Sequence, residues 1–147
     1  MKKATRRRAR SQAGITLIEM LVVVTIIALF AAVVAPKMFG SADKARVTAA
    51  RTQINNFGTA LGAYKLDTST FPTTEQGLQA LRVKPTNVNQ WQGPYFQKDV
   101  PLDPWSHPYI YKYPGDHGDE PDILSYGADG QPGGEGINAD IVSWKNN

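Results

Sequence analysis

Oxygen donors crowd one short part of this chain. From Ser125 to Ile141 the sequence carries carboxylates at Asp129, Glu135 and Asp140, an amide at Asn138, and glycines at 127, 130, 133, 134 and 136. A calcium ion takes about six to eight oxygens from carboxylates, Asn side chains and backbone carbonyls, and glycines let a loop turn its carbonyls inward. The spacing is not that of an EF-hand, so the residues alone leave two readings open, a cation loop and a plain Gly-rich connection. A second cluster, Asp116, His117, Asp119, Glu120 and Asp122 with His107, has donors that suit zinc. It lacks a helical His pair or a Cys pair, so a solvated hairpin tip is the better reading. Ser41-Ala42-Asp43-Lys44 matches the Ser-x-x-Lys pattern of acyl-transfer enzymes, but a four-residue motif with two free positions recurs by chance. Its companion motifs are missing, and a membrane-anchored hydrolase would need a nucleophile, a base and an orienting residue together.

Glu19 is the most isolated of the candidates. It is the one charge between Ile15 and Ala35, a stretch of Ile, Leu, Val, Ala, Met and Phe with few exceptions. As a helix these residues span roughly 31 Å, the thickness of a bilayer's hydrocarbon core. A carboxylate there costs on the order of 2.5–3.5 kcal/mol at the bilayer centre, less near the interface, so it needs a use. Upstream, residues 2–10 carry six positive charges and no acid, which holds that end on the cytoplasmic side.

The elements that position these groups follow from periodicity. Beyond Pro36, the residues Val47, Ala50, Ile54, Phe57, Leu61 and Tyr64 recur at alternating threes and fours, which predicts an amphipathic helix continuing the apolar run to about Leu66. Pro36 removes one helical hydrogen bond and is expected to loosen the join. Gly58 and Gly62 are expected to lie against the domain's own sheet. Thr73 and Gln76 stand at capping-box spacing and predict a short helix with Leu78 and Leu81 on its buried face. Tyr109–Tyr113, Asp122–Tyr126 and Ile141–Trp144 read as short strands. The fold class is α+β, a long N-terminal helix packed on a small three-stranded antiparallel sheet with long loops.

A basic start and an apolar run also fit an ordinary signal peptide, which places its small-residue cleavage site after the apolar run. Here Gly14 precedes the run. Gly14 followed by Ile15-Thr16-Leu17-Ile18-Glu19 resembles the prepilin processing site of the type IV pilin-like superfamily, with Ile15 where that family usually has Phe. Tyr64-Lys65-Leu66-Asp67, Phe71-Pro72-Thr73-Thr74-Glu75-Gln76-Gly77-Leu78 and Asp103-Pro104-Trp105-Ser106-His107-Pro108-Tyr109 narrow the likeness to the major pseudopilins of type II secretion. The resemblance implies a leader, 1–14, removed by a prepilin peptidase that methylates Ile15. It implies a transmembrane and assembly helix, 15–36, with Glu19 and Pro36 as assembly residues, and a periplasmic domain, 37–147.

It also implies a calcium ion held by Asp129, Asp140 and the main-chain carbonyl of Tyr126, with Glu135 and Asn138 as further donors. The expected function is that of a filament subunit rather than an enzyme. Its partners would be copies of itself, minor pseudopilins, the inner-membrane assembly platform and the prepilin peptidase. A type IV or competence pilin is the nearest alternative. The absence of cysteine weighs against it, since many adhesive pilins close a C-terminal loop with a disulfide. The net charge of +3 comes from the leader, and the chain from Ile15 onward carries −3, which leaves no basic surface for nucleic acid.

Overall fold

The computed structural model describes residues 14–145, with backbone only at 36–39. The basic leader therefore lies outside the described residues, apart from Gly14. The chain divides into two units, Met1–Phe39 and Gly40–Asn147. One helix, α1 (Leu17–Thr68), contributes to both and runs on through Pro36.

In the first unit α1 starts two residues later than the apolar run does. Thr16 causes the delay: its Oγ1 accepts the Glu19 N–H at 3.3 Å and its carbonyl accepts the Met20 N–H at 3.2 Å. A threonine that satisfies an orphan N–H of the first turn is an N-cap, and it leaves Gly14 and Ile15 in non-helical backbone. Thr25 returns its hydroxyl to the Leu21 carbonyl at 2.7 Å, so it adds no unsatisfied polar group to the apolar stretch. Every described side chain from 14 to 35 is exposed.

In the second unit the helix behaves as its periodicity predicts. Ala50, Ile54, Phe57, Leu61 and Tyr64 are buried, and Val47 packs at the margin. The helix ends at Thr68 because Ser69 adopts a left-handed φ of 65°. Thr73 and Gln76 do form reciprocal bonds, Thr73 N–H to Gln76 Oε1 at 2.9 Å and Gln76 N–H to Thr73 Oγ1 at 3.3 Å. They close a turn, and the expected short helix follows it as a four-residue 3-10 helix, Leu78–Leu81, with Leu78 and Leu81 buried and with Gly77 at φ 59° in place of Thr73 as its N-cap. The proline-rich connection that follows is pinned by side chains. Trp91 donates to the Ala80 carbonyl at 2.8 Å, and the Tyr95 hydroxyl donates to Asp67 at 2.8 Å.

The sheet has three antiparallel strands in the order β1 (Ile110–Lys112), β2 (Asp122–Ser125) and β3 (Ile141–Val142). Tyr111 pairs with Ile123, and Ser125 with Ile141. All three are shorter than periodicity predicts, for local reasons. Tyr113 gives its N–H to Thr74 Oγ1 at 3.0 Å and is followed by proline. Beyond Ser125 the backbone turns at Gly127, φ 68°. At Ser143 the hydroxyl replaces a ladder carbonyl, accepting the Ile123 N–H at 3.1 Å. The core joins the sheet's Tyr111, Ile123 and Ile141 to α1 through rings: Phe57 meets Phe96 and Tyr109 at centroid distances of 5.3 and 5.2 Å.

Gly58 and Gly62 border a cavity that Asp122 and Ile123 of β2 and the neighbouring Ser143 also line, so they face the sheet across open space instead of packing on it. A Cβ at either position would meet nothing within 4 Å.

Candidate functional site

The Gly-rich segment folds into two 3-10 turns, Gly127–Asp129 and Gly136–Asn138, that pack against each other. Two crossings explain why glycine stands where it does. A Cβ at Gly127 would come within 2.8 Å of the Ile137 carbonyl oxygen and 2.9 Å of that of Ala139, and one at Gly134 within 2.5 Å of the Asn138 oxygen. The segment's two ends thus run backbone against backbone, with the Ile137 and Ala139 oxygens close to Gly127 and the Asn138 oxygen close to Gly134.

Asp129 accepts the Gln131 N–H at 3.1 Å in a local turn, and Asp140 accepts the Gly133 N–H through Oδ2 at 3.0 Å. Asp140 Oδ1 is buried without a hydrogen-bond partner. A carboxylate oxygen so placed carries an uncompensated desolvation cost, which a cation would offset. Asn138 and Tyr126 are half-buried, whereas Glu135 is exposed and uses its carbonyl to accept the Asn138 N–H at 3.1 Å. Among the described residues no three Asp, Glu, His or Cys side chains gather as a metal cluster. The segment's oxygen donors are side-chain carboxylates and main-chain carbonyls, of types that a hard cation such as calcium accepts.

The other clusters are put to structural use. His117 Nδ1 lies 2.8 Å from Asp122 Oδ2, its ring stacks on Trp144 at 3.8 Å, and Lys112 holds Asp116. That lysine pulls the exposed Asp116 carboxyl below its usual range by hydrogen bond and charge. Ser41 and Lys44 lie on an exposed stretch of α1.

Asp103 was legible only as part of a resemblance, yet it is the most connected acid. It is 5% exposed and accepts from the Trp105 and His107 N–H groups at 3.0 and 2.8 Å and from the Ser125 hydroxyl at 2.5 Å. Burial pushes the neighbouring Tyr109 hydroxyl up to about 12, and the negative charge of Asp103 adds to the shift. The available signal was the Asp-Pro pair ahead of a tryptophan, since Asp commonly accepts backbone N–H groups at the head of a turn.

At the other end of the chain, Glu19 sits in the first turn of α1, exposed, just after the Thr16 cap. Thr16-Leu17-Ile18-Glu19 has capping-box spacing, a signal open to sequence reasoning that the apolar pattern obscured. Glu19 is placed five residues beyond Gly14 and among exposed apolar side chains. The stretch is long and apolar enough to cross a membrane by length and composition.

Comparison with known proteins follows the same two parts. Residues 9–35 match the prokaryotic N-terminal methylation motif, and residues 37–144 match the family model of type II secretion system protein G. The chain is 46% identical over 141 residues to the type II secretion system core protein G of Vibrio cholerae, covering 94% of this chain and 95% of that one. With the core protein G of Pseudomonas aeruginosa the identity is 45% over 140 residues, covering 93% and 98%. The crystal structure of the major pseudopilin from the type 2 secretion system of enterohaemorrhagic Escherichia coli superposes with a TM-score of 0.61 at 37% identity, covering 74% of this chain and 95% of that one. The N-terminal motif, the long helix and three-stranded sheet, and the match across 37–144 all lead to one family: this chain belongs to the type II secretion system protein G family, the major pseudopilins.

Proposed function

We infer that the chain is made as a precursor, held in the inner membrane by the apolar stretch of α1 with its C-terminal unit in the periplasm, and cleaved after Gly14. The cleaved subunits stack into a filament that drives folded proteins across the outer membrane. The observation that carries this reading is Glu19, a lone carboxylate among exposed apolar side chains one turn from the cleavage point. Cleavage creates a positive amine on Ile15. In a stack of parallel helices the amine of an incoming subunit meets the Glu19 carboxylate of its neighbour, and the pair selects register more than it adds net stability. Minor pseudopilins and an inner-membrane platform would act where the filament starts.

The Asp129–Asp140 segment is proposed to hold one calcium ion through those two carboxylates and nearby carbonyls, Tyr126 among them. The ion supplies the cross-link that a chain without cysteine lacks. Support comes from the partnerless Asp140 Oδ1 and from the main-chain oxygens of 137–139 that lie close to Gly127 and Gly134.

Mass spectrometry of the N-terminus tests the first reading. Protein from sheared filaments should begin at Ile15, and Gly14→Val should leave the full precursor in the membrane, because a groove that fits no side chain meets a branched one. An intact leader on filament protein would overturn it.

A further inference from the structure

The buried Asp103 does more than close its own turn. Its Oδ1 is occupied by the Trp105 and His107 N–H groups, which the turn requires. Its Oδ2 is committed elsewhere, accepting the Ser125 hydroxyl at 2.5 Å. Ser125 is fully buried, and its Oγ accepts the Gly127 N–H at 3.2 Å. From the other side His107 Nδ1 lies 3.2 Å from the Gly127 carbonyl. A carbonyl only accepts, so that nitrogen carries the ring proton in this contact. Both polar ends of Gly127 are thus held by the 103–107 turn, one directly and one through Ser125.

This has a consequence for the preceding residue. The Tyr126–Gly127 peptide is trans, because the cis bonds in the described chain are Gly93–Pro94 and Tyr113–Pro114. In a trans peptide the C=O and the following N–H point in opposite directions across one rigid plane. Fixing the Gly127 N–H on Ser125 Oγ therefore fixes the Tyr126 carbonyl, aimed away from the buried serine. Gly127 is also the point where the segment's start touches its end, at the Ile137 and Ala139 oxygens.

We propose that Asp103, acting through Ser125, is a positioning residue that presets the Tyr126 carbonyl as a ligand for a divalent cation in the Asp129–Asp140 loop. The inference rests on the calcium reading above. A carboxylate is required because Ser125 must donate in one direction and accept from Gly127 in the other, which orients its hydroxyl without ambiguity. Preorganised ligands bind more tightly because less ordering remains to be done on binding.

Asp103→Asn separates the two roles of the acid. The amide oxygen still caps the turn through Trp105 and His107, but the amide nitrogen facing Ser125 donates and cannot accept, so the serine proton loses its acceptor. Ser125→Ala removes the anchor on Gly127 altogether. The measurement is calcium titration by calorimetry on the full chain in detergent micelles, with melting temperatures taken in chelator. Both variants should raise the Kd for calcium at least about tenfold while their melts in chelator remain cooperative. In an Asp129→Ala background, where binding is already impaired, neither should lower the calcium-dependent rise in melting temperature further. Wild-type affinity in both variants would overturn the positioning role and leave the calcium site standing. So would a loss of affinity matched by loss of cooperative melting in chelator, which marks the acid as structural only. A wild-type chain that takes up no calcium would overturn both readings.

Discussion

Phe30 and Phe57 belong to the same helix, yet the first exposes 68% of its surface and the second none. The contrast holds along the helix: Leu17, Ile27 and Leu29 each expose more than 60%, while Ile54, Leu61 and Tyr64 expose 2% or less. Residue type does not separate the two stretches, since both are rich in large apolar side chains. Their companions do. From Val47 onward polar residues alternate with the apolar ones at helical spacing and the apolar face meets a sheet, whereas from Leu17 to Ala35 apolar side chains surround the axis and none of the described residues buries them. A helix apolar all round is built for surroundings outside its own chain. One stretch gains its stability from the fold, and the other, under the function proposed above, from lipid or from other copies.

Substitutions should divide accordingly, and the largest effect belongs to the uncovered stretch. Glu19→Ala is expected to leave cleavage, membrane insertion and the melting of the C-terminal unit unchanged, and to cut filament yield on the order of a hundredfold. A partner amine left unpaired in a buried interface costs roughly 3–5 kcal/mol. Sheared filaments and secreted substrate give the readout, and normal filaments from the variant would show that apolar packing alone sets the register. Phe57→Ala is the counterpart in the covered stretch. It deletes a ring with no exposed surface and two aromatic neighbours, and should cost about 3–5 kcal/mol of stability in denaturant unfolding. A loss under about 1 kcal/mol would mean that the core closes over the gap.

The same division governs what the sequence made legible. The helix from Val47 to Tyr64, the three strands and their antiparallel order followed from periodicity, because in those segments the period itself is the cause of burial. Periodicity failed where a single polar atom decides. Thr16 Oγ1 sets the helix start, Ser143 Oγ ends β3, and the expected short helix begins after Gly77 instead of at Thr73. Gly58 and Gly62 do face the sheet, but across a gap: a glycine pair says that a backbone can approach, not that one does. In the loop proposed to hold a cation the oxygen-bearing residues could be picked out, but the partnerless oxygen of Asp140 and the anchoring of Gly127 by residues about twenty positions upstream depend on how distant segments meet.

Within the C-terminal unit, the loop from Tyr126 to Asp140 contrasts with the ring-packed core, since short turns and few buried apolar groups hold it. Calcium should therefore matter more there than to the core around Phe57. Binding to the folded state alone adds RT ln(1 + [L]/Kd), about 2.7 kcal/mol at a hundredfold excess over Kd. Chelation should lower the melting temperature correspondingly, and Asp140→Ala should reproduce most of that loss and abolish the response to chelator. Amide hydrogen exchange should localise the change to residues 122–145. A melting temperature indifferent to calcium would equate the loop with an ordinary connection and remove the contrast.

The smallest expected effect tests the boundary between the two kinds of surface. Gly58 lies in the covered half of α1 but borders an open cavity shared with Asp122, Ile123 and Ser143, and a Cβ there meets nothing within 4 Å. Its neighbours Ile54 and Phe57 are buried, so the helix is held in place on either side whatever stands at 58. Glycine within a helix costs roughly 0.5–1 kcal/mol against alanine, through the backbone freedom it loses on folding. Gly58→Ala should therefore stabilise the C-terminal unit by about that amount, which for a domain near 100 residues raises the melting temperature by about 2–8 °C. Filament yield should stay at the wild-type level if this face is simply solvated. A variant that melts higher but assembles poorly would place Gly58 with Phe30 instead, on a surface whose partner is another copy of the chain and whose missing side chain leaves room for it.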